Sequence, residues 1–431
     1  MQTGSPPRIW VARSPERRRR RGAFVVGTIL VASALGVSHG ISAGEPARAP
    51  LLVGGVVDAE LYGGAAIGAQ ARFAAVNAAG GVHGRPIEDL GVTDDHRSPE
   101  EHAEALRRLL GDAGDGEGVG GAAVDAVVPL VSGAFAGVPE LERARIPAFG
   151  WGISGALCGS TWVFAITGCL TPLLPRRVPG IWGVAIDRLL RARHATSDAA
   201  AVVADDGGAD RAVEEVSAVA RAAGMRVVYA RAALARAGSA NADVAAIARA
   251  VLASDDGKPP AVVFTVSGFA NVAALQSMLR AQGYTGITTN LVQYAPLLAG
   301  PAAGADVLTQ FATPESAPQN PAMRRVVDEI AAVTSDPITP AMLAGWFAAD
   351  FFVEAATRAG PGATAADIRR VARRSTYRVP KTIGPTRFPD AFTTATSCGQ
   401  LVSGDGTGYT VSVPFGCSPT VALPSSNRSK R

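Results

Sequence analysis

After its first fifty residues, this chain of 431 residues lacks the short motifs that mark common catalytic sites. Neither G-x-S-x-G, the nucleophile turn of many hydrolases, nor the zinc motif H-E-x-x-H occurs in that part. The chain has only five histidines, and only His96 and His102 lie near an acidic pair, Asp94-Asp95. Polar residues are common before a helix, so this cluster gives little support to metal binding or catalysis. The sequence favours a protein that is not an enzyme and needs no cofactor or metal, with a hydrolase as the weaker alternative.

Cysteine is also rare, and the four cysteines do not form a C-x-x-C pair. This spacing argues against a zinc site and, in an exported chain, favours disulfides. Four cysteines allow three connectivities. We expect the two bridges that close short loops, Cys158 with Cys169 and Cys398 with Cys417.

Positive charge is concentrated at the N-terminus. The first fifty residues hold eight arginines and two glutamates, a net +6, which leaves −2 for the remainder of a chain whose total is +4. A nucleic-acid-binding domain should be basic itself, so the slightly acidic remainder argues against DNA or RNA as a partner.

Behind the arginines, residues 23–37 form an apolar run of the length expected for a signal peptide, which is short for a membrane span. Ala47-Arg48-Ala49 matches the A-x-A cleavage pattern. We therefore expect a leader over 1–49 and export to the periplasm or cell surface. The alternative is a retained N-terminal anchor, which would suit a membrane-anchored ligand sensor.

From Leu51 onward, short apolar runs alternate with amphipathic stretches, the pattern of βα units in a largely parallel sheet. The series occurs twice, so we predict an α/β protein with two doubly wound lobes and a ligand cleft between them. The acidic, glycine-rich segment 111–121 is expected to be a surface connection. Residues 341–356 predict a buried core helix, because Asp350 and Glu354 interrupt the apolar run. A hairpin is expected around 404–406 and a disordered tail over 421–431.

Several segments resemble the leucine/isoleucine/valine-type periplasmic binding proteins. Residues 71–88 are similar to that family's first helix, turn and second strand, and 127–133 followed by 139–152 to its third strand, helix and fourth strand. Residues 264–284 resemble a strand and helix of the second lobe, and 383–388 the "GP-x-x-F" start of the C-terminal hairpin. The resemblance covers about 51–417.

This resemblance implies the type I periplasmic binding fold, in which the chain crosses three times between two Rossmann-like lobes. The implied lobes are 51–178 with 306–383, and 179–305 with 384–420. The implied function is capture of a small polar ligand, such as an amino acid, amide or small carboxylate, by lobe closure. A monomer would then deliver the ligand to an ABC permease in the membrane.

Candidate ligand-binding residues follow from strand ends and from the resemblance. Ser132-Gly133 ends a strand before a helix, where a hydroxyl and free backbone N–H groups can bind a carboxylate. The family's pattern adds Gly152 and Ser154 as backbone and hydroxyl contacts and Tyr62 as an aromatic cleft residue. Trp151 and Phe269 are candidates for an apolar wall.

The chain departs from the family's pattern in the second lobe. Gln293 stands near the position where the family has an acid that receives the ligand's ammonium group, and the tyrosine expected near Ala209 is missing. Asp205 or Asp206 could substitute. A buried ammonium without a carboxylate is costly, so an α-amino acid is the less favoured ligand.

Overall fold

The computed structural model of the protein describes residues 48–111, 124–172, 175–206, 210–235 and 243–423. Nearly all of the predicted leader and most of the glycine-rich segment 111–121 lie outside these residues. The strands are β1 Leu51–Val57, β2 Ile87–Asp94, β3 Ala126–Val131, β4 Ala148–Gly150, β5 Val163–Ala165, β6 Arg177–Pro179, β7 Ala199–Asp205, β8 Arg226–Leu234, β9 Val262–Val266, β10 Ile287–Asn290, β11 Ala305–Thr309, β12 Thr376–Val379, β13 Ile383–Arg387, β14 Cys398–Gly404, β15 Tyr409–Cys417 and β16 Thr420–Ala422. The helices are α1 Ala59–Tyr62, α2 Gly64–Ala78, α3 Pro99–Leu109, α4 Val138–Ala144, α5 Ile181–Ala192, α6 Asp210–Ala222, α7 Val244–Leu252, α8 Phe269–Ala281, α9 Pro321–Ala331, α10 Pro340–Ala359 and α11 Ala365–Ala372.

The first sheet has the order β2-β1-β3-β4-β5, and all its neighbours are parallel. Its central strands are almost entirely apolar because helices cover both faces. On one face Val53 packs in a core with Phe73 of α2 and Phe347 of α10. On the other, Leu106 of α3 and Leu141 of α4 enclose a second core. We call this sheet and its helices the first lobe.

The second sheet has the order β15-β14-β11-β10-β9-β7-β8, with β7 to β11 parallel and the β14–β15 hairpin antiparallel. Helices α5 and α6 cover one face and α7 and α8 the other. This sheet with its helices is the second lobe. The predicted α/β fold with two largely parallel sheets is confirmed.

The chain passes between the sheets three times: after β5, after β11 and before β14. Between the second and third crossings α10 packs against α2 and β3 of the first lobe, and 14 of its 20 residues are buried. The expected boundary at 305/306 divides β11, whereas the structure places the whole of β11 in the second sheet. Its hydrogen bonds to β10 and β14 hold it there.

The C-terminal segment is ordered further than its composition predicts. Residues expected to begin a disordered tail at 421 instead belong to β16, which pairs antiparallel with β6. Val421 and Leu423 pack against the core of the second lobe, and this burial accounts for the extra strand. Residues 424–431 lie outside the described chain.

Both expected disulfides are present. Cys158 bonds to Cys169 at the edge of the first lobe, and Cys398 bonds to Cys417 across the β14–β15 hairpin. Within the described ranges, no helix is both long and apolar enough to cross a membrane.

Candidate functional site

A cavity of about 730 Å³ lies between the carboxyl ends of β1 and β4 in the first lobe and the loop after β10 in the second. Parallel α/β sheets commonly bind ligands at this end of their strands. The end of β11 and the chain leading into α10 complete the walls. The lining consists of residues 59–64, 67, 151, 291–292, 294–298, 308–311, 336–337 and 339–342.

Trp151 lines the cavity and directly follows β4. Its indole Nε1 donates a hydrogen bond to Oε1 of Gln310 at 2.8 Å. Its ring meets Tyr62 edge-on at 6.0 Å between centroids and Phe311 at 5.6 Å. Gln310 and Phe311 follow β11, so this one side chain joins the first lobe to a crossing segment.

Tyr62 reaches the cavity from α1, a single helical turn set by the side chain of Asp58. That carboxylate accepts a hydrogen bond from the backbone N–H of Leu61 at 3.1 Å, and Asp94 accepts from that of Ala59 at 3.0 Å. Burial, followed by the charge of Asp58, raises the pKa of the Tyr62 phenol. The hydroxyl therefore stays protonated at neutral pH and can donate a hydrogen bond to a ligand.

The residues predicted to bind the ligand's carboxylate, Ser132 with Gly133 and Gly152 with Ser154, follow the neighbouring strands β3 and β4. They do not line this cavity. Ser132 is buried, and its Oγ accepts from the N–H of Ala134 at 2.9 Å. Ser154 is buried too and caps a short 3₁₀ turn through Ala156 N–H at 3.3 Å. Both hydroxyls are thus engaged in local turns.

The two predicted glycines have different surroundings. Gly133 is exposed, and a Cβ placed there would meet nothing within 4 Å. At Gly152, a Cβ would lie 2.0 Å from the carbonyl oxygen of Gly168, so this glycine permits close packing of the backbone. Gly152 is buried and outside the cavity wall.

In the second lobe, the predicted residues also lie outside the cavity wall. Gln293 is fully buried, and its amide oxygen accepts from Nδ2 of Asn290 at 2.7 Å. Phe269 is partly exposed at the start of α8. Asp205, the proposed substitute acid, accepts hydrogen bonds from Ser267 and Asn271. Of the eight residues that the sequence suggests, the structure brings Tyr62 and Trp151 together in this wall.

The histidine cluster separates into two environments. His102 is buried, and its Nδ1 lies 2.8 Å from Oδ2 of Asp95, whereas His96 is exposed beside Asp94. The described residues contain no group of three or more His, Cys, Asp or Glu side chains placed to hold a metal ion.

Sequence reasoning selected Gln293 in the loop 291–298 but missed the residues of that loop that line the cavity, and it also missed Gln310 and the segment 336–342. The sequence of the loop contains one indication of a binding surface. Leu291-Val292 and Leu297-Leu298 are apolar pairs next to turn residues, and neither pair continues the periodic pattern of a helix or strand. No feature of the sequence distinguishes Gln310, because a single glutamine after a strand is common in proteins of any function.

Two α/β lobes that share a cavity at the carboxyl ends of their strands, with three chain crossings, define a two-lobed solute-binding protein. A family model described as "Periplasmic binding protein" matches residues 55–408, and the chain belongs to that family. It is therefore a solute-binding protein and not an enzyme, and the resemblance to the leucine/isoleucine/valine type is confirmed at the level of the family. Such proteins act outside the cytoplasmic membrane.

Solved structures confirm the fold. A possible leucine/isoleucine/valine-binding protein from Rhodopirellula baltica SH 1 is 18% identical, with a TM-score of 0.60 over 85% of this chain and 98% of that one. A fatty acid ABC transporter substrate-binding protein from Thermomonospora curvata is 19% identical, with a TM-score of 0.61 over 86% and 92%. LivJ from Streptococcus pneumoniae str. Canada MDR_19A in complex with isoleucine is 16% identical, with a TM-score of 0.57 over 85% and 100%. No curated protein matches the chain.

Proposed function

We propose that this protein captures a small ligand in the cavity by closure of its two lobes and delivers it to an ABC permease in the membrane. The observation that carries the proposal is the composition of the cavity wall. The wall combines Tyr62 and Trp151 of the first lobe, the loop 291–298 of the second, and the crossing segment at Gln310. A ligand bound there touches both lobes and the crossing segment at once.

Closure needs a ligand that binds the closed arrangement better than the open one. Contacts made by one ligand to two lobes meet this condition, because they are complete only when the lobes approach each other. The crossings after β5, after β11 and before β14 are the natural hinges. No cofactor takes part in such a cycle.

The proteins of similar fold suggest a range of ligands. One is described as bound to isoleucine, another as a fatty acid transporter component. The ligands expected from the sequence, an amino acid, an amide or a small carboxylate, are chemically similar to these two. We therefore keep them in the proposal. We also propose a monomer with a cleaved leader, with Tyr62, Ser132, Gly133, Trp151, Gly152, Ser154, Phe269 and Gln293 as the residues to test for ligand binding.

The proposal is tested by a thermal-shift screen of the purified protein against amino acids, amides, carboxylates, alcohols and sugars, followed by small-angle X-ray scattering with each hit. A ligand that binds only the folded state raises the melting temperature, by an amount that grows with its concentration. We expect a hit that also reduces the radius of gyration. A hit without compaction would contradict lobe closure, and turnover of a compound would contradict a transport role.

A further inference from the structure

Most of the large apolar side chains that are exposed in the described chain line the cavity. Seven such residues are exposed, and four of them line this cavity: Leu61, Leu291, Val292 and Leu297. Leu297 is 94% exposed, at the tip of the loop after β10. Exposed apolar side chains that cluster from two separate lobes indicate an apolar binding partner.

The ionisable side chains of the described lining suit an anion poorly. Apart from Tyr62, they are the acids Glu60 and Asp336, and no lysine, arginine or histidine of the described chain is among them. Glu60 is paired with Arg97, which lies outside the wall, at 2.7 Å. A ligand carboxylate would therefore face acidic groups and no cation.

Helix N-termini are the usual alternative seat for an anion, and those of α1 and α10 are already satisfied here, whereas that of α2 at Gly63 and Gly64 has no side-chain cap. At α1, the carboxylates of Asp58 and Asp94 accept the hydrogen bonds of the first backbone N–H groups. At α10, Thr339 caps the N–H of Met342 at 3.2 Å, and Pro340 has no N–H to offer. Little capacity to bind an added negative charge remains at the start of α1 or α10.

The remaining polar groups suit a neutral head group. The hydroxyl of Tyr62 and the amide Nε2 of Gln310 have no hydrogen-bond partner among the described residues, and both side chains line the cavity. Two neutral donors can bind a carbonyl or hydroxyl oxygen without a buried ionic partner. An α-amino acid would bring two full charges, and burying unpaired charges is costly.

We propose, on the basis of the function proposed above, that the ligand of this cavity has an apolar body and an uncharged oxygen-bearing head group, such as an amide or an alcohol. The body packs between Leu61 and the loop 291–298. The head group accepts hydrogen bonds from Tyr62 and Gln310. A cavity of about 730 Å³ has the size of pockets for ligands larger than a single amino acid.

The experiment compares five compounds that share an eight-carbon chain and differ in the head group: octanamide, 1-octanol, octanoate, octylamine and 2-aminooctanoate. Binding to the purified protein is measured by calorimetry and by the shift in melting temperature, with leucine and isoleucine alongside. We expect octanamide and 1-octanol to bind at least about tenfold more tightly than octanoate and 2-aminooctanoate. Tighter binding of octanoate, octylamine or any amino acid than of octanamide would overturn the inference and leave the proposed transport function intact.

Variants locate the binding. Leu297→Gln should weaken octanamide binding about tenfold, because the side chain that packs on the ligand is lost without disturbing a buried core. Leu90→Gln changes a residue that is 50% exposed in β2, outside the cavity, and should leave binding unchanged. Leucine binding that Ser132→Ala or Asp205→Asn abolishes would place the ligand elsewhere and refute the inference. No binding by any compound in this set or in the wider screen would refute the proposed function itself.

Discussion

The indole Nε1 of Trp151 donates a hydrogen bond to Oε1 of Gln310 at 2.8 Å, across 159 positions of sequence. Trp151 follows β4 of the first lobe, and Gln310 follows β11 of the second. The bond therefore ties the cavity wall to one of the three chain crossings. Any rearrangement at this crossing must keep the bond or break it.

We predict that Gln310→Met lowers the free energy of unfolding by about 1–2 kcal/mol, because the partly buried indole N–H loses its acceptor. Trp151→Phe removes the donor and keeps an aromatic ring against Tyr62 and Phe311. In a double-mutant cycle by urea unfolding, the two changes should be coupled by about 0.5 kcal/mol or more. Strict additivity would show that the bond contributes nothing to stability.

Gln282→Met serves as the matched control. Gln282 lies at the end of α8, is partly buried, and donates a longer bond of 3.3 Å to the carbonyl oxygen of Ala245. Its replacement should change stability by less than about 0.5 kcal/mol.

His102 makes the stability of the first lobe depend on pH. The ring is fully buried; its Nδ1 bonds to Asp95, while its Nε2 has no partner among the described residues. Burial lowers the pKa of His102, and this effect outweighs the opposing effects of Asp95 and the nearby Glu140. The unfolded chain, with a histidine pKa of about 6.5, therefore takes up a proton that the folded protein does not.

Stability should consequently fall as the pH drops below about 6.5, with this group contributing up to about 1.4 kcal/mol per pH unit. We expect His102→Gln to flatten the dependence between pH 6.5 and 5 in urea unfolding. His194→Gln, which changes an exposed histidine after α5 of the second lobe, serves as the control. An equal slope in the wild type and in His102→Gln would assign the acid sensitivity to other groups.

Much of this fold could be predicted from local signals. Residues 341–356 indicated a buried helix, and Thr339 with Pro340 provides its N-cap and first position in α10. The strands β1 and β3 were visible as apolar runs. The three crossings between the lobes required the resemblance to a known family, since periodicity alone does not specify which strands share a sheet.

The cavity was harder to predict, for physical reasons. Trp151 directly follows β4, where ligands commonly bind, whereas Tyr62 lies in α1 and was suggested by the resemblance to a known family. Gln310 and Leu297 depend on how the two sheets face each other, which no local pattern encodes. The strand β16 was missed for the same reason, because its partner β6 lies some 240 positions earlier and Arg177 bonds Thr420 only in the fold.

The disulfides allow a prediction about reducing conditions. The bridges Cys158–Cys169 and Cys398–Cys417 span 11 and 19 positions. Closing loops of this length stabilises a protein by roughly 3 kcal/mol each, mainly by restricting the unfolded chain. We expect serine replacement of either pair to lower the free energy of unfolding by about 2–4 kcal/mol. Reductant should lower the melting temperature of the wild type and leave a variant without cysteines unchanged; a wild type insensitive to reductant during unfolding would contradict this.

The contact between α2 and α10 depends on two glycines. A Cβ at Gly68 would lie 1.8 Å from the carbonyl oxygen of Met342, and one at Gly345 would lie 1.9 Å from that of Ala65. Backbone atoms cannot yield as a flexible side chain can, so a methyl group there forces the helices apart in the centre of the core.

We predict that Gly68→Ala destabilises the protein by about 3 kcal/mol or more, although alanine is otherwise the better helix former. The matched control is Gly133→Ala, where a Cβ meets nothing within 4 Å and the change should shift stability by less than about 1 kcal/mol. Urea unfolding followed by circular dichroism measures both. A Gly68→Ala variant as stable as the wild type would show that α2 and α10 can separate at little cost, and the close approach of these helices would then not be what holds α10 on the first lobe.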